Sequence, residues 1–488
     1  MIEKILRLGK DTAVYGVSSI VGRFLNFLLV PFYTHYLAPS EYGTVATLYS
    51  YIAFGFIIYG YGLESAYMRY VASLEIGDKK QNFSTPFLSL WMTSAILSLG
   101  VFVFSDEINR WIGLGVGGGL LIRYAAWILF FDALVIIPFA SLRMELKAKT
   151  FAGLKVFNIL VNVAANVVLL VVMNMRAEGV LLANLIASVV TFLVLLKMIF
   201  SYLTFRLPEK LYPALLKFGL PLIPAGIASV AMHVIDRPIL KALTDEATVG
   251  VYQANYRLGI LMMLLVSMFD YAWRPFYLTH YNDSDAKPMF ARVFTYLVAL
   301  LAFVLVAVSF FIEDLIQIKI LGGYFFNQAY WSGVAIVPWI LLSYIFAGAY
   351  GNFVIGVNIE KKTHYLPLIT GAGAVVNVVA NYLLVPYFGM MGAAYATLAS
   401  YVTMAIGIYF PSQRLYRVEY EWGKVIRIAL CVGVVFVAYG FIAPVPATAS
   451  GILVKSLLVC AFVLLLFVTR VVNSGSVVLL LSKLRSSA

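Results

Sequence analysis

The chain alternates long apolar runs with short polar breaks. No Asp, Glu, Lys or Arg occurs between Val156 and Met175, between Tyr365 and Gln413, or between Ile428 and Val454. About 20 apolar residues carry a helix across the hydrocarbon core, where backbone polar groups must be satisfied inside the helix itself. The pattern predicts fourteen spans, at 12–34, 44–72, 84–105, 120–143, 150–173, 179–199, 215–243, 249–274, 288–312, 332–356, 363–385, 391–411, 424–443 and 450–471. The breaks carry turn residues, as in LAPSEYG at 37–43, Pro208 with Pro213, and PVPATAS at 444–450. The longest break, 313–331, is too short for a soluble domain. The first apolar run exceeds a signal h-region and lacks a small-residue cleavage site, so it reads as a retained span.

Composition agrees with this pattern. Hydrophobic residues make up 62% and charged residues 12%, against about 25% charged in soluble domains; the mean hydropathy is +0.92. The formal net charge of +12 looks like a nucleic-acid signal until it is placed on the topology. An even span count puts both termini on one side. With the termini inside, Lys4, Arg7, Lys10, Lys79, Lys80, Lys361, Lys362, Arg414 and Arg417 join most other basic residues on the cytoplasmic face. The outer loops and helix ends then hold only Arg110, Arg176, Lys241, Lys319 and Lys455. The surplus is topological, helped by anionic headgroups, and implies no nucleic-acid partner.

Reactive chemistry is sparse. Cys431 and Cys460 lie in the last two spans and read as packing residues. His35, His233, His280 and His364 form no metal-binding spacing, and neither a Walker A sequence nor a G-x-S-x-G element is present. The reading is a non-enzyme with no metal and no cofactor.

An internal repeat organises the spans. VNVAANVVLLVVMNMRAEGVLLANLIAS (161–188) aligns with VVNVVANYLLVPYFGMMGAAYATLAS (375–400), matching Asn162 and Asn166 to Asn377 and Asn381, and Gly179 to Gly392. LAPSEYG (37–43) aligns with LTDEATVG (243–250). The fold class expected is an all-α polytopic membrane protein: a six-helix lobe at 1–205, a second at 206–413 related by a parallel repeat, and two appended spans with a cytoplasmic tail at 414–488. Repeated halves around a midplane cavity are a transporter plan.

Five motifs carry a family resemblance: GLESAYMRY (62–70), the Asp-Arg of HVIDRPIL (233–240), VGVYQANYRLG (249–259), AWRPFYL (272–278) and NYLLVPYFGMMGAAYATL (381–398). In order and spacing the chain resembles the polysaccharide flippases of the multidrug/oligosaccharidyl-lipid/polysaccharide exporter superfamily, over essentially its whole length. The resemblance implies translocation of undecaprenyl-diphosphate-linked oligosaccharide, an O-antigen, capsule or exopolysaccharide repeat unit, alongside other polysaccharide assembly proteins. In the related lipid II flippases a lumenal arginine of the first span corresponds to Arg23. A second basic residue further along that helix has no counterpart here, where Leu29 and its neighbours are apolar.

Charges at membrane depth are functional candidates because burying one costs several kcal/mol unless it is paired or lines water. Arg23, Arg237 and Arg257 are the candidate cations for a diphosphate, which a planar guanidinium binds in bidentate fashion. Arg237 and Arg257 are expected at similar depth on neighbouring antiparallel spans, clamping one diphosphate. Glu64, Asp132 and Asp236 are the candidate ion-coupling carboxylates. Two readings stay open for Arg23 with Glu64: a cavity role or a structural interhelix pair. Adjacent Asp236 and Arg237 should diverge by about 100° around a helix. Arg123 and Lys155 read as interfacial, Asp270 as the partner of Arg274, and the four repeat asparagines as interhelical hydrogen-bonding residues. The alternatives to a flippase are a multidrug cation antiporter of the same superfamily and a membrane-embedded glycosyltransferase or polymerase.

Overall fold

The computed structural model describes residue 27 and residues 29–320, 323–442 and 445–472. Among them, twelve helices are long and apolar enough to cross a membrane. Helices Glu246–Leu258 and Ile260–His280 add a further span, bent by 47° at the break between them. The first expected span, 12–34, lies largely outside the described residues; each of the other expected spans has a helical counterpart. The protein is a multi-pass membrane protein, and its described strands form one short hairpin, Lys319–Ile320 against Gly323–Tyr324. Large exposed apolar side chains such as Leu99, Val434, Leu453 and Leu464 face outward along these helices, as a lipid-facing surface requires.

Local chemistry sets the helix boundaries. Asp78 and Gln81 form a reciprocal capping box: Gln81 N donates to Asp78 Oδ1 at 2.8 Å, and Asp78 N donates to Gln81 Oε1 at 2.9 Å. Thr448 caps helix Ala449–Val468 by accepting from Gly451 N at 3.0 Å. Between the third and fourth spans a short helix, Ser105–Ile112, carries Trp111 exposed; the apolar run at 84–105 hid it. The second span breaks at Tyr61–Gly62, inside the motif GLESAYMRY. Gly62 has φ +75°, and a methyl there would lie 2.2 Å from the carbonyl oxygen of Gly219. Only glycine suits both the left-handed backbone and the approach.

A second close approach joins the two turns matched by the repeat. A side chain at Gly43 would meet the Glu246 carbonyl oxygen at 1.7 Å, and one at Gly250 would meet the Pro39 carbonyl oxygen at 1.8 Å. The starts of helices Pro39–Gly60 and Glu246–Leu258 therefore touch backbone to backbone, reciprocally. Ion pairs surround the contact: Arg176 with Glu41 at 3.1 Å and Lys241 with Glu246 at 3.2 Å. Lys241 Nζ also donates to the Gly113 carbonyl at 2.6 Å, closing the short surface helix.

The chain divides into two compact units, one ending at Gln253 and one beginning at Ala254. The first is built around Leu63, Phe83, Leu90, Ile137, Leu211 and Leu215. In the second, helix Met390–Leu415 packs against both Val337–Phe353 and Tyr365–Phe388. There Lys455, fully buried, pairs with Asp314 at 2.7 Å, and Asp314 also accepts from Ala447 N at 2.8 Å. The pair ties the last span to helix Ala286–Ile316.

At the start of helix Trp422–Ile442, Glu421 accepts from Thr295 at 2.8 Å and from Lys424 at 2.7 Å. Burial pushes its carboxyl upward, but these bonds and the charges of Lys424 and Arg292 outweigh it and hold the group below the usual glutamate range.

Two outcomes follow from these contacts. Lys455→Met strands a buried carboxylate and is expected to lower stability by about 3–5 kcal/mol, read as the thermal midpoint in detergent. Lys455→Met with Asp314→Leu should recover most of that loss; a double variant no better than the single one refutes the pairing. The depressed Glu421 group stabilises the fold above its unfolded pKa, and that contribution disappears as pH falls through the folded value. Glu421→Gln should therefore be less stable than the parent near neutral pH, and the difference should vanish only once the pH has fallen below the depressed folded value. A gap that persists in acid rules this out.

Candidate functional site

The first unit contains the densest polar cluster. Helix Asp236–Leu243 begins with two adjacent charged residues, both buried. Rather than diverging as expected, they meet: Arg237 Nη1 donates to Asp236 Oδ1 at 2.5 Å and to the His233 carbonyl at 2.6 Å, and Nε donates to Gln253 at 3.0 Å. The guanidinium folds back along its own helix, and Tyr252 closes the knot by donating to Asp236 Oδ2 at 2.6 Å. The Tyr252 ring lies 5.5 Å from the guanidinium carbon. Asp236 and Arg237 thus satisfy each other in the present arrangement.

The other carboxylates have partners that the sequence reading passed over. Glu64, in the first turn of helix Leu63–Ser73, pairs with Arg143 in the last turn of helix Gly118–Met144. Arg143 reads as a loop residue in the sequence because it closes an apolar run. Asp132 accepts from Ser188 at 2.7 Å and feels the charge of Lys155. Lys155 is not simply interfacial: its ammonium lies 4.2 Å from the centre of the Phe139 ring, on the helix that carries Asp132. Asn158 extends the cluster, donating to Thr191 at 2.8 Å and to the Ala187 carbonyl at 3.1 Å. Arg123, as expected of an interfacial residue, is held at a span end by Ser105 at 2.9 Å and Asp106 at 3.0 Å.

In the second unit, Arg257 is half-buried in the last turn of helix Glu246–Leu258. Its neighbours fix the backbone: Asn255 donates to the Tyr330 carbonyl at 2.8 Å, and Tyr344 donates to the Tyr256 hydroxyl at 3.3 Å. Among the described residues Arg257 has no carboxylate within ion-pair distance. Arg23 lies outside the described residues. Nearby helices of this unit enclose an apolar crevice of about 740 Å³, lined by Phe294, Trp339, Phe346, Tyr409, Val425 and Phe436.

The repeat asparagines behave alike in both halves, though not as interhelical bridges. Asn166 donates to the carbonyl and side-chain oxygens of Asn162 at 2.8 and 3.0 Å; Asn381 does the same to Asn377 at 2.8 and 2.9 Å. The i,i+4 spacing that made the motif visible also lets each pair close within its own helix. Gly179 and Gly392 both abut the preceding helix, Gly179 against the side chains of Leu169 and Leu170 and Gly392 against the backbone of Leu384.

This arrangement of spans and breaks matches the fold of solved membrane transporters. The structure of the lipid II flippase MurJ, inward closed conformation, matches with a TM-score of 0.75 at 14% identity, covering 93% of this chain and 98% of that one. An inward-facing multidrug resistance MATE family transporter of the MOP superfamily matches with a TM-score of 0.63 at 16% identity, over 80% and 94% of the two chains. The chain itself belongs to the family described as polysaccharide biosynthesis protein, whose profile matches residues 34–329. Lsg locus putative protein 1 of Haemophilus influenzae is 21% identical over 414 residues, 80% of this chain and 96% of that protein.

The contrast between the arginines is measurable. Arg237→Met removes the partner of a buried carboxylate and is expected to cost about 3–5 kcal/mol. Arg257→Ala strands nothing and should stay within about 0.5 kcal/mol of the parent. Thermal unfolding of both variants in the same detergent decides this, and equal losses would contradict the assignment of partners.

Proposed function

We propose that the protein is a flippase that moves undecaprenyl-diphosphate-linked oligosaccharide repeat units across the bacterial cytoplasmic membrane for O-antigen, capsule or exopolysaccharide assembly. Membership of a polysaccharide biosynthesis family, on a transporter fold with cations at membrane depth, carries this reading. The six-helix lobes proposed at 1–205 and 206–413 alternate access, with 414–488 appended, both termini cytoplasmic, and no catalytic chemistry.

In this reading Arg257, with no carboxylate beside it, meets the diphosphate, and Arg23 meets it from the equivalent span of the first half. Arg237 joins them only by exchanging Asp236 for a substrate anion, since two oxygens of one phosphate offer a guanidinium the same fork as the two oxygens of a carboxylate. The apolar crevice beside Phe346 and Tyr409 has the chemistry to hold part of the polyprenyl chain. Ion coupling falls to Glu64, Asp132 and Asp236, whose present partners Arg143, Ser188 and Arg237 can trade places with a cation as the cavity opens. The MATE likeness sustains a multidrug cation antiporter as second reading; that function needs carboxylates facing the substrate rather than free arginines.

Deleting the gene should cause lipid-linked oligosaccharide to accumulate in the inner leaflet, with restoration by the parent chain. Arg23→Ala and Arg257→Ala, at parental abundance, should restore less than a tenth of export. Arg→Lys at either position should restore part of it, because charge survives without the fork. No accumulation on deletion, combined with increased sensitivity to cationic drugs, would favour the antiporter. If Glu64→Gln and Asp132→Asn both export normally with proton and sodium gradients collapsed, ion coupling through them is wrong.

A further inference from the structure

Among the described residues, Asp270 lacks the charged neighbours that hold Asp236, Arg237 and Lys455. Asp270 lies in the middle of helix Ile260–His280. Its Oδ1 is sealed from the surface and has no hydrogen-bond partner among the described residues. Arg274, the partner expected from the i,i+4 spacing, is exposed, and the two form no ion pair. The carboxyl instead fills a notch in helix Val337–Phe353. A side chain on Gly351 would lie 2.4 Å from Oδ1 and 3.1 Å from Cγ.

The surroundings offer no fixed counter-charge. Tyr277, one helical face along from Asp270, accepts from Asn358 at 2.5 Å. Tyr350 comes from helix Val337–Phe353. The hydroxyls of Tyr277 and Tyr350 and the guanidinium of Arg274 are the other ionisable groups near Asp270. From helix Ala286–Ile316, which also packs here, Phe290 stands edge-on to Trp273 at 5.3 Å. Trp273 Nε1 is itself a buried donor with no partner among the described residues. An ionised carboxylate in such a place costs far more than a neutral acid, and the group neutralises rather than bear that cost. No group of three or more His, Cys, Asp or Glu suited to a metal ion occurs among the described residues. A lone carboxyl has one cation it can bind without help.

We propose that Asp270 is a proton-binding site: a carboxylic acid kept neutral by its seat against Gly351, which releases its proton when helices Ile260–His280 and Val337–Phe353 separate. Binding adds one proton to one carboxylate oxygen and removes one negative charge; release to water reverses it. Any part in driving transport rests on the flippase reading above, but protonation itself does not.

The test is infrared difference spectroscopy of the full-length protein in lipid bilayers, without substrate, titrated from acid to alkaline pH. The parent should show a protonated-carboxyl C=O band that persists near neutral pH. Asp270→Asn should lose that band. Gly351→Ala, which keeps the acid but evicts it from its notch, should shift its disappearance to lower pH. Identical spectra for the parent and Asp270→Asn overturn the proposal, as does a Gly351→Ala band unchanged from the parent. Because no substrate is present, failure of the flippase reading leaves this result untouched.

Discussion

The cost of leaving a charge unpaired in hydrocarbon governs this structure. Water is absent there, so each ionisable side chain within a span must find a partner or neutralise. Lys455 finds Asp314, Glu64 finds Arg143, and Arg237 gathers Asp236, a backbone carbonyl and Gln253. These pairs decide which helix faces turn inward as firmly as apolar packing does, because rotating a helix would open two charges at once. Among the described residues, Arg257 and Asp270 stand outside the rule. The first is a cation with no carboxylate in reach; the second is a carboxylate with no cation. A transporter needs groups of this kind, since a site that already satisfies itself has nothing left for a ligand.

The architecture was largely legible in the sequence because the hydrocarbon core imposes one length and one secondary structure on every span. Runs such as 365–413 admit few other interpretations. The repeat was legible for a related reason: the Asn pairs and Gly179 with Gly392 occupy positions where helices close on themselves or on the preceding turn, so their chemistry recurs. Breaks within spans were harder to see. Tyr61–Gly62 divides an apolar stretch because Gly219 presses against it, and nothing in the local pattern announces a neighbour from a distant span.

The site was legible in its residue types more than in its pairings. Depth along a helix can be counted, so Asp132, Arg237 and Arg257 stood out. Direction around the helix, and the reach of a long side chain, cannot be counted in the same way. Asp236 and Arg237 start on different faces of the helix, yet the guanidinium bends back across them; Lys155 spans the gap to a neighbouring helix in the same manner. Long flexible side chains carry their charge some way from their own Cα, so a reading based on register underestimates whom they can meet. Asp270 escaped for the converse reason. Its partner was inferred from spacing on its own helix, whereas its environment is made by a glycine on another.

The contact between Gly43 and Gly250 bears on how such a chain diverges after duplication. When a segment is copied and the copies then touch each other through equivalent residues, neither can drift alone: a methyl on either side intrudes on the main chain of the other. The two positions form a joint record of the ancestral unit, frozen by contact rather than by chemistry at a binding site. Specialisation of the halves must then occur elsewhere. A shared seam that cannot change leaves the rest of each half free to become different.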